Sequence, residues 1–207
     1  MFKKTLITTS LVAIMSLSLM AQGNCKGEGG HGKGHGKHGQ YSENSSSYDR
    51  GDLLENISNG EISIEQQEGM RYIIEEEKVA RDVYLALSKR WNDRIFRNIA
   101  KSEQKHINAV AKLFSNYDIE APSTLEYEGV FENEKLQKLY DDLVAKGESS
   151  RLNAYKVGVV VEETDIADLE ELLQADISSD FERTYSNLLR GSNKHLSAFN
   201  RELSKVK

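Results

Sequence analysis

Along four long stretches of this chain, apolar residues return at alternating spacings of three and four, the period of a helix with one buried face. The first stripe is Met70, Ile73, Glu77, Ala80, Tyr84, Leu87, with Trp91 continuing it. The second is Phe96, Ile99, Glu103, His106, Val110, Leu113, Tyr117. A third runs Tyr155, Gly158, Glu162, Asp165, Leu169, Leu172, flanked by Val159 and Ile166, and a fourth Phe181, Tyr185, Leu188, Ser192, His195, Phe199. Stop and start signals bound them. Ser63, three residues before Gln66, has the spacing of a capping box and predicts a first helix from there to about Lys89. Asn92 or Asp93 caps the second, which ends near Tyr117. Asp118 to Glu132, with Pro122 and Gly129, reads as a connection, and Asn133 to Ala145 as a shorter amphipathic helix carrying Leu136, Leu139, Tyr140 and Leu143. Gly147 is expected to end that helix, Ser149 or Ser150 to cap a third long one from Arg151 to about Gln174, and Ser178 or Ser179 to open the fourth. The expected fold is all-α: a four-helix bundle with a long connection between its second and third long helices, holding the short extra helix.

Each stripe is interrupted near its middle by groups that do not belong in an apolar seam. Glu77 stands in the first, Glu103 and His106 in the second, Glu162 and Asp165 in the third, His195 in the fourth. Glu75 and Glu76 fall off the first line, although Glu76 lies close enough in angle to replace Glu77 if the helix were rotated. One buried Glu is usually a paired structural carboxylate, and one buried His a satisfied core residue. Several buried charges with few lysines or arginines among them are different, because burying an unpaired ion costs several kcal/mol. Two divalent cations would neutralise three or four carboxylates and take the imidazoles as neutral donors. Glu-x-x-His projecting inward, as at Glu103 and His106, is the pair from which di-iron and di-manganese carboxylate sites are built.

Composition narrows the rest. At 207 residues and 38% hydrophobic, the chain has material for one domain with a real core. A net charge of -6 argues against nucleic acid as a partner, and the single cysteine, Cys25, excludes both an internal disulfide and a Cys-x-x-Cys site. Lys3 and Lys4, the apolar run Leu6 to Met20 and Ala21 read as an export signal over 1–21, too short for a comfortable bilayer span, so release to the periplasm or medium without stable membrane insertion is expected. Cys25 as an acylated lipoprotein residue fits poorly, since Gln22, Gly23 and Asn24 precede it. Residues 22–60 read as a disordered Gly, His and Ser-rich linker whose His31, His35 and His38 could bind metal only loosely, and 61–207 as the folded domain.

The motifs also carry a resemblance. Glu77 to Tyr84, Glu-Lys-Val-Ala-Arg-Asp-Val-Tyr, is similar to the first-helix Glu-x-x-Ala-Arg-Asn-x-Tyr of rubrerythrin-type proteins, and Ile95 to His106 to their second-helix segment. With Val161 to Glu170 and Asn187 to Phe199, the set resembles a prokaryotic ferritin-like family known as a domain of unknown function, over about Ile64 to Leu203. The resemblance implies a one-crossover bundle and metal ligation by Glu77, Glu103, His106, Glu162 and His195. It departs at Ser192, where the rubrerythrin pattern has a Glu; Asp165, one turn after Glu162, either replaces that carboxylate or leaves one metal weakly held. A rubredoxin-like iron is absent, so peroxide reduction would draw on an external electron donor.

The leading functional expectation is an exported di-metal oxidoreductase acting on Fe(II), dioxygen or peroxide, in the manner of a ferroxidase. Its cofactors would be two divalent ions, iron first, with manganese or zinc as alternatives. Tyr84 is the candidate phenol for hydrogen bonding or redox work there, against the plainer reading of a packed tyrosine with a satisfied hydroxyl. The competing expectation is a metal-binding, storage or delivery protein without turnover. A homodimer is compatible with either.

Overall fold

The computed structural model describes residues 62–206. The expected signal segment, Cys25 and the His-rich linker lie outside the described residues. Five helices and no strand occur among them: α1 Ile64–Trp91, α2 Arg94–Asn116, α3 Glu134–Glu148, α4 Arg151–Leu172 and α5 Ser179–Lys205. None is long and apolar enough to cross a membrane.

The ends follow from local chemistry. At α1 the Gln66 amide donates to Ser63 Oγ at 3.2 Å while the Ser63 amide donates to Gln66 Oε1 at 2.8 Å, a complete capping box. Asn92 closes α1 in the left-handed region at φ 49°, and Asp93 at once caps α2 by accepting from the Ile95 amide. Asn133 and Ser150 cap α3 and α4 in the same way. Ser178 occupies the cap position of α5 without bonding the first-turn amides. One expectation fails: α3 does not stop at Gly147. That glycine lies inside the helix because a Cβ there would sit 2.6 Å from Leu87, so it is needed for close approach of α3 to α1, and Trp91 Nε1 donates to its carbonyl at 3.0 Å.

The four long helices close a ring in which α1 packs on α2, α2 on α5, α5 on α4 and α4 on α1, while α3 lies against α1 and α4. The interior has two apolar ends. One gathers Val83, Tyr84, Leu87, Phe96, Tyr155, Val161 and Phe199, and the other Met70, Ile73, Val110, Phe114, Leu169, Phe181 and Leu188. Between them lies the polar layer of Glu77, Glu103, His106, Glu162, Asp165, Ser192 and His195.

α1 departs from the single-stripe expectation. Every residue from Ile73 to Tyr84 is buried, so Glu77 is not its only covered charge: Glu75, Glu76, Lys78, Arg81 and Asp82 are buried too. For Glu75, Lys78, Arg81 and Asp82 the cause is the connection 118–133, which covers the face turned away from the polar layer. Lys78 Nζ and Arg81 Nε each lie 2.7 Å from the Asp82 carboxylate, which also accepts from the Gly129 amide at 2.9 Å. Gly129 holds φ 73°, a value that favours glycine. Arg81 reaches the Leu125 carbonyl, Glu75 accepts from the Glu132 amide at 2.8 Å, and the Lys78 ammonium sits 3.9 Å from the centre of the Phe131 ring. Both buried cations are thus committed to this clamp and neither neutralises the polar layer.

Candidate metal centre

Helical register puts the candidate side chains at one depth. Glu103 and His106, one turn apart on α2, face Glu77 on α1, Glu162 on α4 and His195 on α5. Ligand-capable atoms of Glu77, Glu103 and His106 all fall within 4.8 Å of one another, and so do those of Glu103, Glu162 and His195. Glu103 belongs to both sets. His106 Nδ1 lies 2.8 Å from Glu103 Oε2 and 3.0 Å from Glu77 Oε2, while His195 Nδ1 lies 2.8 Å from Glu103 Oε1 and 3.5 Å from Glu162 Oε2. The two imidazole rings are roughly parallel, 5.6 Å apart between centres.

Only part of this set is hydrogen-bonded, at His106 Nδ1 and Glu77 Oε2. Glu103 Oε1 and His195 Nδ1, although 2.8 Å apart, have no partner in hydrogen-bond geometry, and Glu77 Oε1 is likewise unpartnered. Native interiors leave few such atoms, and each one calls for an explanation. Lone pairs that converge without pointing at each other's protons suit a shared third body. Donors of mixed carboxylate and imidazole type, with no thiolate, suit iron, manganese or zinc.

Electrostatics show the same imbalance. Burial pushes the Glu77 carboxyl far above its usual range, reinforced by Asp165 and opposed by His106. Burial and the Glu103 charge push Glu162 up to about 8. Burial also acts to raise Glu103, but the two imidazoles 2.8 Å away outweigh it and hold it at about 2. In return, burial disfavours the imidazolium ions, yet their carboxylate neighbours raise His106 to about 11 and His195 to about 10. Protons therefore do the neutralising that cations would otherwise do.

Tyr84 lies against the centre with its hydroxyl donating to Glu162 Oε1 at 2.6 Å, and its ring is enclosed by Phe96 and Phe199. Asp165 joins neither triad: its Oδ2 accepts a short hydrogen bond from Ser192, and its Oδ1 has no hydrogen-bond partner. Ser192, in the position where a fourth-helix carboxylate was sought, thus tethers Asp165. Two neighbours, Asp168 and Gly191, escaped the sequence reading, and a third, Glu76, entered it only as a stand-in for Glu77. Glu76 and Asp168 are buried beside the layer, and Gly191 leaves the space His106 fills, since a Cβ there would sit 2.5 Å from His106 Nε2. The spacing of Glu162, Asp165, Asp168 and Glu171, three apart throughout, was the signal available for Asp168.

Comparison with known proteins gives a relative and a structure. The chain is 46% identical over 143 residues to an uncharacterized protein of Methanocaldococcus jannaschii, MJ0754, a match covering 69% of this chain and 77% of the relative. The crystal structure of that hypothetical protein superposes with a TM-score of 0.69 at 45% identity, covering 70% of this chain and 83% of the other. Residues 66–206 match the family described as uncharacterized protein domain DUF2202, and they contain every residue of the polar layer. This chain belongs to the DUF2202 family.

Proposed function

We propose that this chain is an exported ferritin-like four-helix-bundle protein whose polar layer holds two divalent ions, iron foremost, and that it acts as an oxidoreductase on Fe(II) with dioxygen or peroxide. One observation carries the reading: Glu103 is shared by two ligand sets, each completed by a histidine and a second glutamate, and Glu77 Oε1, Glu103 Oε1 and His195 Nδ1 among them have no hydrogen-bond partner. The ring α1–α2–α5–α4 and the inward Glu-x-x-His on α2 support the ferritin-like part.

Glu77 and His106 would hold one ion, Glu162 and His195 the other, and Glu103 would give one oxygen to each. Bound ions would supply electrons and a Lewis-acidic point for the oxidant. The chain's own residues do the remainder. Tyr84 fixes Glu162 through its hydroxyl and, with Phe96 and Phe199, keeps water from that side. Ser192 holds Asp165 where its charge offsets the single positive charge left when two dications meet three carboxylates. Asp165 can also serve as a further ligand, reached from α4.

The test starts with metal analysis of the untagged mature protein, followed by anaerobic Fe(II) titration and oxygen exposure. Two ions per chain and oxygen consumption coupled to Fe(II) loss are expected. Binding without turnover would make it a storage or delivery protein, and absence of binding would end the metal reading.

A further inference from the structure

Tyr84, at the centre, is joined by ring contacts to a second tyrosine at the end of the bundle. The Phe96 ring lies between them, 6.3 Å from Tyr84 and 5.8 Å from Tyr155 between centres, and is stacked on Tyr155 at 19°. Phe199 closes the group, 5.2 Å from Tyr84 and 5.7 Å from Phe96. All four rings are buried, Tyr155 being 4% exposed and the others not at all. Each phenol bonds a carboxylate at 2.6 Å: Tyr84 donates to Glu162 Oε1 and Tyr155 to Asp93 Oδ2. The Tyr155 bond has the length of a charge-assisted one. Asp93 is fixed by its other oxygen, which caps α2 by accepting from the Ile95 amide.

Asp93 is half-buried in the turn between α1 and α2, so the series of rings ends at solvent. Positive charge gathers on that turn. The exposed side chains of Arg90, Arg97 and Arg151 are held there by neutral groups, the Trp91 ring at 4.6 Å, Asn92 Oδ1 at 3.0 Å and the Trp91 carbonyl at 3.4 Å. On a chain of net charge -6, such a turn attracts an anion. Burial, with the bond to Asp93 next, pushes the Tyr155 phenol up to about 12. It therefore keeps its proton at neutral pH and releases it only as an electron leaves, with Asp93 Oδ2 placed to take it. Tyr117 also bonds a carboxylate, Asp180 at 2.9 Å, but its ring contacts lead through Phe181 to Tyr185 in the other apolar end.

We propose that Tyr155 is a redox-active residue with Asp93 as its proton acceptor, linking an anionic one-electron donor outside the α1–α2 turn to peroxide at the centre; this rests on the metal-centre reading above. Peroxide accepts two electrons as its O–O bond breaks. Where the centre holds one Fe(II), one electron comes from that ion, which becomes Fe(III). The other comes from Tyr155 by way of Phe96 and Tyr84, the Tyr155 hydroxyl proton passes to Asp93, and both peroxide oxygens leave as hydroxide. The donor then returns one electron to the phenoxyl radical, and Asp93 returns the proton.

The test loads full-length protein with one Fe(II) per chain, confirms binding by titration, mixes it with hydrogen peroxide and reads the frozen sample by EPR for a tyrosyl radical. Wild type and Tyr117→Phe should give the signal. Tyr155→Phe, which keeps the stacked ring and removes only the hydroxyl, should lose it. Asp93→Asn keeps the helix cap, since asparagine caps as well as aspartate, and should slow radical formation about 100-fold or more, the lower end of what a positioned proton acceptor contributes. Ascorbate, a monoanionic one-electron donor, should quench the radical, and Arg97→Gln combined with Arg151→Gln should slow quenching about tenfold, the lower end of charge steering. A signal that survives in Tyr155→Phe, or one that forms at the wild-type rate in Asp93→Asn, would overturn the assignment. Quenching at the wild-type rate in the double arginine variant would overturn the anionic donor. Fe(II) bound without any radical in wild type would overturn the relay and leave the centre standing, whereas failure to bind Fe(II) would remove both.

Discussion

Replacing Gly191 by alanine tests the centre through a residue that is no ligand. An added Cβ would lie 2.5 Å from His106 Nε2 and 2.6 Å from Cε1, against an ordinary contact of about 3.5 Å, so the ring must retreat by roughly 1 Å. His106 Nδ1 now lies 3.0 Å from Glu77 and 2.8 Å from Glu103, and a displacement of that size removes it from any position it can share with both. Changes in groups that orient a ligand typically cost 10–100-fold in metal affinity. Stability should fall by no more than about 2 kcal/mol, since overpacking costs about 1–3 kcal/mol while alanine in a helix interior returns about 1. Calorimetric titration of metal-free Gly191→Ala should therefore show the ion of the Glu77 triad weakened at least tenfold and the ion of the Glu162 triad nearly intact. Gly158→Ala is the comparison: its Cβ would press on the Phe199 ring at 2.6 Å, in the apolar end, so it should lower the melting temperature and leave stoichiometry alone. Two unchanged affinities in Gly191→Ala would refute the placement of His106 as a ligand.

Without metal, stability should fall as pH rises. Glu162, raised from 4.5 to about 8, contributes fully below 4.5 and loses that contribution on approach to 8, while His195 and His106, raised from 6.5, lose theirs by about 10 and 11. Glu103 works oppositely, contributing above 4.5 and losing it only as pH falls through about 2. Melting temperatures in chelator should thus drop from pH 5 to 9, and a flat or rising series would contradict the charge assignments. Adding metal should reverse the trend with release of protons, measurable by calorimetry in buffers of different ionisation enthalpy. Tyr84→Phe removes the 2.6 Å bond to Glu162 and should cost about 1–3 kcal/mol in urea unfolding without changing stoichiometry; an unchanged midpoint would show that the bond contributes nothing. Asp82→Ala strands the fully buried Lys78 and should cost about 3–5 kcal/mol by the same assay, whereas a loss below about 1 would mean that water reaches the pair.

The four seams were legible because each long helix presents a stripe to a common interior, and a period of three and four records that directly. Glu103 and His106 were legible because charged groups in such a stripe have no solvent to face. What the period does not record is how many sides of a helix are covered. Lys78, Arg81 and Asp82 look like a solvated face until the connection 118–133 is laid over them, and that contact joins residues far apart in the chain. Asp168 was hidden in a similar way, being buried on α4 outside the stripe that the period picks out. Gly147 and Gly191 carry no periodic signal, since their contribution is the side chain they lack, and what occupies the space belongs to another helix.

The position of Glu103 has a consequence for the order in which the molecule is made. Glu77, Glu103 and His106 sit on two helices joined by Asn92 and Asp93 alone, so that triad is complete once a single helical hairpin has left the ribosome. Glu162 and His195 arrive only after the long connection and two more helices have been synthesised, and their contacts with Glu103 close much larger loops. One oxygen of Glu103 therefore faces a partner three residues away in the chain, while the other faces a partner on the last helix. The two halves of the centre look alike in space, but one is built from contacts local in the chain and the other from contacts that span most of the domain.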